Sequence, residues 1–375
     1  MLKDVSYMPN AEQELLLKAA LFDGEPAREA WDAWRKRVAL DDADFASQRL
    51  LPLLLDNLER LGVADPELGR YRSVARHVWL ENQIHLNHAK QVLTLLKQAQ
   101  IPAMTLKGLA VAALYYGNPK LRGMGDIDIL VPFASVRDAA HILAEHGWDC
   151  EYDVTKLSRN VLTLCHAMAF TNAQGASIDL HWHISHECCW PEADDLFWRY
   201  AQPLSLGGVE TRTLSHTDQL FHTCIHGGRP CDMPPIRWVA DGAFIIRKAE
   251  IDWQRLFEQA QEFQLVRRVQ RTLLYLRDTM RVPVPDAALA QLAAMEPTRL
   301  ERLEERVMLS PTPELLKAAV RRYVHYRRNV AERDADEGFL RHLEIAFGTR
   351  SFPETVLWII RRILSGRASG HPNAL

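Results

Sequence analysis

Asp126 and Asp128 stand two residues apart in Gly125-Asp126-Ile127-Asp128-Ile129-Leu130-Val131. Side chains alternate along a strand, so this pattern predicts both carboxylates on one face and Ile127, Ile129 and Val131 on the other. Like charges ~4 Å apart repel by about 4 kcal/mol at an effective dielectric of 20, a cost that a cation or a proton removes. Hard oxygen ligands on a rigid strand suit Mg²⁺, which takes one or two carboxylates together with substrate phosphates. A third acid follows the same pattern: in Ile178-Asp179-Leu180-His181-Trp182-His183, Asp179, His181 and His183 share one predicted face. Three carboxylates meet the needs of two divalent ions about 3.5–4 Å apart, which activate an attacking hydroxyl and clamp a phosphoryl oxygen. The spacing alone is common, since Asp42-Ala43-Asp44 and Asp334-Ala335-Asp336 repeat it in polar surroundings. The apolar frame and the preceding Arg122-Gly123-Met124 run set Asp126 and Asp128 apart.

Positive charge for phosphates is available at Lys107 and Arg122. Gly108 opens a predicted helix over 109–116, whose first N–H groups can face an anion; the lesser alternative for Lys107 is an ordinary strand-end lysine. His181, His183, His186, Cys188 and Cys189 fall within nine residues, and His222, Cys224, His226 and Cys231 within ten. The spacing argues against zinc, whose structural sites pair two C-x₂₋₄-C knuckles. His222 and His226 lie i, i+4 on one helix, but Thr223 occupies the place of the general base in an HExxH site. They line a cleft or pack against the core. Arg237 and Asp241, also i, i+4, read as a helix ion pair.

These residues need a frame. Residues 1–100 place apolar side chains at spacings of three and four, as helices do, until Pro102 stops the last helix. Short β-like pieces then alternate with helices: 103–108, the 109–116 helix closed by Gly117, a strand over 126–132 and a helix closed by Gly147. Further β-like pieces follow at Trp148–Val154, then a hairpin turning near Gly175 into the 177–184 strand. Helices resume at 216–228, 236–249 and 252–280. The expected organisation is a helical region over 1–100, an α/β core over 101–205, a helical segment over 206–285 completing the cleft, and a helical region over 286–375.

The 375 residues carry 45 Lys+Arg against 48 Asp+Glu, a net charge of −3, with 47% hydrophobic residues. Such a composition excludes a disordered or collagen-like chain and argues against a nucleic-acid backbone as partner. Arg321-Arg322-Tyr323-Val324-His325-Tyr326-Arg327-Arg328 and the basic 356–364 stretch are the local exceptions, and they read more simply as charged helix faces than as an RNA or membrane surface. The first residues are charged throughout, unlike a secretory signal, and no apolar run approaches the ~18 residues of a membrane span. A cytoplasmic protein with reduced thiols is expected.

Taken together, Leu106-Lys107-Gly108, a helix ending Tyr115-Tyr116, Arg122, Asp126-Ile-Asp128-Ile-Leu-Val131 and Ile178-Asp179-Leu180-His181-Trp182 resemble the uncharacterised nucleotidyltransferase family of the polymerase-β-like superfamily. The resemblance continues through Leu220–His226 and Ile236–Asp241 to Asp252-Trp253, over roughly residues 85–285. It implies an α+β fold, with a small mixed sheet flanked by helices on which Asp126, Asp128 and Asp179 hold Mg²⁺, two ions being expected. It further implies transfer of a nucleoside monophosphate, AMP by default, from a nucleoside triphosphate to an acceptor, releasing pyrophosphate. The acceptor can be a small molecule, saccharide, peptide or protein. Lys107, Gly108 and Arg122 fall on the nucleotide side, and His181, His183, His222, His226, Arg237 and Asp241 on the acceptor side. The chain departs from the superfamily in carrying Lys107-Gly108-Leu109 where a Gly-Ser pair usually holds the triphosphate. That departure keeps a second reading open, a non-catalytic nucleotide-binding or protein-interaction module on the same fold. A nucleic-acid-directed enzyme using the basic C-terminal stretch is a third.

Overall fold

The computed structural model describes residues 8–150, 152–158, 162–229, 236–310, 312–331, 333 and 338–364. Cys231 and the acidic Glu332, Asp334, Asp336 and Glu337 lie outside the described residues. The regular elements are α1 (Ala11–Leu21), α2 (Gly24–Arg35), α3 (Phe45–Gln48), α4 (Leu51–Arg60), α5 (Leu68–Gln98), β1 (Met104–Thr105), α6 (Lys107–Val111), β2 (Asp128–Leu130), α7 (Val136–Glu145), β3 (Trp148–Asp149), β4 (Ala167–Asn172) and β5 (Ser177–His181). They continue with α8 (Asp195–Tyr200), β6 (Gln202–Leu206), β7 (Val209–Thr213), α9 (His216–Gly227), α10 (Arg237–Lys248), α11 (Trp253–Glu262), α12 (Val266–Asp278), α13 (Asp286–Ala294), α14 (Arg299–Leu309), α15 (Glu314–Asn329), α16 (Phe339–Phe347) and α17 (Phe352–Leu364). The fold class is α+β, with a seven-stranded mixed sheet in the order β3-β4-β5-β2-β1-β7-β6. Among the described residues, no helix is long and apolar enough to cross a membrane.

The chain divides into two compact units, each assembled from three stretches. The first comprises 1–94, 104–128 and 200–311. Its first helix is started by Asn10, whose side chain accepts from the Gln13 N–H while Gln13 reaches back to the Asn10 N–H, so the helix end satisfies otherwise unpaired donors locally. β1 runs parallel to β7, with Met104 opposite Arg212. β6 and β7 form an antiparallel hairpin turned by Gly207 and Gly208 at φ 55° and 86°, the two consecutive left-handed positions of a tight hairpin turn. At the other side of β1, the Leu106 N–H donates to the Asp128 carbonyl at 3.0 Å.

The second unit comprises 95–103, 129–199 and 312–375. β4 and β5 are antiparallel, with Met168 opposite Leu180 and Phe170 opposite Ile178. These four apolar side chains are buried and fix the register, because a one-residue slip would turn them all to the other face. The same register sets Ala167 opposite His181 and Ala169 opposite Asp179, so on β4 these two polar side chains face small residues. The Val131 N–H donates to the His181 carbonyl at 2.9 Å, which makes β5 the neighbour of β2.

Three expectations need correction. The strand expected over 126–132 is regular only at Asp128–Leu130, so Asp126 precedes the strand and is exposed while Asp128 is buried. The strand expected from Trp148 to Val154 spans only Trp148–Asp149. The 252–280 helix is two helices, interrupted where Gln264 takes φ 54°, a left-handed conformation an α-helix cannot absorb.

Candidate functional site

In the first unit, α6 begins directly after β1, and Lys107 at its first position takes φ 43°. A non-glycine residue in that region costs roughly 1–2 kcal/mol, and the strain directs the side chain onto Asp128: Lys107 Nζ lies 2.5 Å from Asp128 Oδ1. Asp128 is 1% exposed, so its charge depends on a cation beside it. The helix widens into a π-helical turn at Ala112–Tyr116 and stops at Gly117, φ 71°. Such a turn inserts a residue, and here consecutive tyrosines find separate partners: the Tyr115 hydroxyl meets His216 Nδ1 at 2.7 Å and the Tyr116 hydroxyl donates to Asp241 Oδ1 at 2.8 Å.

Arg122 is nearly inaccessible and binds Asp241 through two bonds, Nε to Oδ1 and Nη2 to Oδ2, both 2.8 Å. Burial works against the guanidinium charge, and Asp241 more than restores it, so Arg122 stays protonated. Its Nη1 is buried with no hydrogen-bond partner, and a β-carbon at Gly108 would lie 3.1 Å from it. Glycine at 108 therefore leaves a guanidinium N–H edge against bare backbone. Asn82 holds the connecting run: its side-chain amide donates to the carbonyls of Pro119 and Arg122 and accepts from the Met124 N–H. The expected Arg237–Asp241 helix pair gives way to this arrangement, since Asp241 is committed to Arg122 and Tyr116 and Arg237 Nη1 donates to the Gly123 carbonyl. Burial, then Arg122 and Arg49, lowers the Arg237 pKa to about 10. Asp126, an exposed acid, favours the charged form of Arg49, Arg122 and Arg237 alike.

On α9, His222 and His226 have ring centroids 5.8 Å apart. Burial holds the His226 pKa well below its ordinary value, with Arg229, Lys107 and His222 adding to the effect and Asp128 opposing it. The imidazole is neutral at neutral pH, able to line a site but too weak a base to collect a proton there.

In the second unit, Asp179 is half-buried and His181 and His183 are buried. His183 lies beyond the end of β5 and has a partner the sequence reasoning missed. Its Nδ1 is 2.6 Å from Asp194 Oδ2, and Asp194 Oδ1 accepts from the Ile184 N–H at 2.9 Å. His183 thus closes a loop. His181 Nδ1 is 3.2 Å from the His183 carbonyl, and its ring lies 5.2 Å from that of His166.

The first unit therefore gathers Lys107, Gly108, Arg122, Asp128, His222, His226, Arg237 and Asp241, and the second holds Asp179, His181 and His183. Arg49 and Asn82 escaped sequence reasoning because each acts across a long sequence separation with no local motif, and Asp194, 11 residues from His183, stands at no spacing that marks a pair. Closely spaced cations around a buried carboxylate are suited to binding a polyanion such as a triphosphate.

None of the curated proteins matches the chain. A solved structure, an antigenic nucleotidyltransferase-like protein from Paracoccidioides brasiliensis, is similar at 15% identity and a TM-score of 0.35, covering 56% of this chain and 91% of its own. The family model of the uncharacterised nucleotidyltransferases matches residues 45–281. That span exceeds half of the chain and includes Arg49, Lys107, Arg122, Asp126, Asp128, Asp179 and Asp241, and the chain belongs to the uncharacterised nucleotidyltransferase family.

Proposed function

We propose that the protein transfers a nucleoside monophosphate, AMP by default, from a nucleoside triphosphate to an acceptor in a Mg²⁺-dependent reaction. The observation that carries this reading is the buried Asp128 carboxylate neutralised by Lys107, with the Gly108 backbone and the Arg122 Nη1 edge adjoining Lys107. Divalent metal fits the donor chemistry: Asp126, Asp128 and Asp179 offer hard oxygen ligands, and Asp128 is a charge that needs a cation. We assign Asp126 and Asp128 to the metal-bound nucleotide, with Asp179 as the third carboxylate that the family resemblance implies. Bound Mg²⁺ supplies charge neutralisation of the triphosphate and acidifies an acceptor hydroxyl.

The protein's own groups do the rest. Lys107 and Arg122 hold the phosphates, and Asp241 and Tyr116 keep the Arg122 guanidinium oriented, so the triphosphate meets a preset donor rather than a mobile one. The acceptor oxygen forms its bond to the α-phosphorus as the bond to the bridging oxygen of the β-phosphate breaks. Pyrophosphate leaves, and the hydroxyl proton passes to solvent. His222, His226 and Arg237 line the acceptor side in this reading.

Pyrophosphate release with a panel of triphosphates and acceptors tests it, with Mg²⁺ supplied and then chelated. Mg²⁺-dependent release abolished in Asp126→Ala/Asp128→Ala protein is expected; release undiminished in that variant would sink the site. Calorimetric triphosphate binding with no divalent dependence and no turnover would instead favour a non-catalytic nucleotide-binding module.

A further inference from the structure

The second unit contains a cluster that the proposed reaction does not use. His186, Cys189 and His325 present three ligand atoms within 4.8 Å of one another. Cys189 and His325 are buried and His186 is half-buried. His325 is 4% exposed, yet neither of its ring nitrogens has a hydrogen-bond partner. Buried polar groups are ordinarily paired, so an imidazole with both nitrogens unmatched, beside a thiol and a second imidazole, points to a ligand.

The surroundings preset the cluster. Asn329, one turn beyond His325 on α15, accepts from the Cys189 N–H at 2.8 Å and donates to the His325 carbonyl at 3.0 Å. One side chain thus fixes the backbone of both ligands, as outer groups do at metal sites. The His186 and His325 rings stack with centroids 4.5 Å apart, and His342 stacks with His325 at 5.6 Å. Burial raises the Cys189 thiol well above its ordinary pKa and lowers the His325 imidazole well below, so both stay neutral until a cation arrives.

We propose that His186, Cys189 and His325 bind a zinc-class divalent ion, tying the loop after β5 to α15. Thiolate and imidazole are the donors zinc prefers, at about 2.3 Å and 2.0–2.1 Å, and small side-chain rotations bring the three atoms onto one ion. The Cys189 proton goes to solvent on binding, and a water completes four-coordination. No spacing rule finds this set, because His325 follows Cys189 by 136 residues.

The test uses the full-length, reduced, chelator-treated protein titrated with Co²⁺ and then Zn²⁺. One equivalent of Co²⁺ should produce a thiolate-to-cobalt charge-transfer band, which Zn²⁺ then bleaches; a carboxylate site cannot give this band. Asp128→Asn protein should keep the band, separating this site from the proposed reaction. Cys189→Ser should abolish it, and His325→Gln should weaken Co²⁺ binding at least tenfold. Absence of the band in the unaltered chain overturns the proposal whatever the variants do, and so does a full band in folded Cys189→Ser protein.

Discussion

Replacing Asp241 by alanine should destabilise the protein by about 3–5 kcal/mol, the range for removing one partner of a buried ion pair. The carboxylate accepts three bonds, two from Arg122 and one from Tyr116, each at 2.8 Å. The side chains of Arg122 and Asp241 are 7% and 8% exposed, so solvent neither screens the pair nor rescues the cation that remains. Tyr116 loses its acceptor as well, and burial holds that phenol neutral, its pKa raised well above the ordinary value, so it stays a donor with nowhere to donate. These losses place Asp241→Ala at the upper end of the range. Asp241→Asn should cost less, because one amide oxygen still accepts, although its NH₂ then faces the guanidinium. The apolar pair Arg122→Met/Asp241→Leu should recover much of the loss, since buried ion pairs replaced together by hydrophobic side chains are often neutral. Urea denaturation followed by circular dichroism reads all four proteins. A change below about 1 kcal/mol for Asp241→Ala, or a double variant less stable than the single, would refute the claim that Asp241 exists to hold a buried charge.

Lys107→Met should raise the KM for triphosphate by about 10–150-fold, the equivalent of one charged hydrogen bond of about 1.5–3 kcal/mol; an unchanged KM in steady-state pyrophosphate release removes Lys107 from the phosphate site. His226 makes stability pH-dependent with a definite sign: its folded pKa is depressed, chiefly by burial, so below about pH 6.5 the unfolded chain binds a proton that the folded one refuses. Stability present above that pH is lost on acidification, at up to about 1.4 kcal/mol per pH unit from this group, and His226→Gln should flatten the slope in urea titrations between pH 5 and 7. Gly227→Ala would drive a methyl into the Trp238 ring and should cost about 1–3 kcal/mol through overpacking, with a melting temperature equal to the parent's as the contrary result. Asp194→Ala should loosen the loop beyond β5 and speed hydrogen exchange at Ile184, whose N–H the carboxylate accepts; an unchanged exchange rate would show that the loop is held otherwise.

Much of the frame is legible in the residues. Apolar periodicity marks the helices, and the alternation Ile178-Asp179-Leu180-His181 correctly separates a core face from a chemical face, because a slip would expose Ile178 and Leu180 together. Local reasoning overreaches at Asp126: the alternating pattern continues backward from β2, but only Asp128–Leu130 is strand. The Leu-Ser-Leu-Gly-Gly-Val-Glu-Thr run carries the signal of the β6–β7 hairpin in its paired glycines alone. Asp241 shows a different limit. Its i, i+4 spacing from Arg237 is a real helix geometry, yet a bidentate Arg122 from 119 residues away outcompetes it, and no local pattern encodes that preference. The His325 cluster is invisible for the same reason.

The division of the chain has a consequence for biosynthesis. The first unit needs its 200–311 stretch and the second its 312–375 stretch, so neither can close while the ribosome is still early in the message. Arg122 and Cys189 emerge long before the helices that complete their units, and each waits for its long-range partner, Asp241 or Asn329. Non-local pairing of this kind slows folding and prolongs the exposure of apolar strands. Cutting the chain into consecutive fragments would therefore leave each unit without a stretch that it needs.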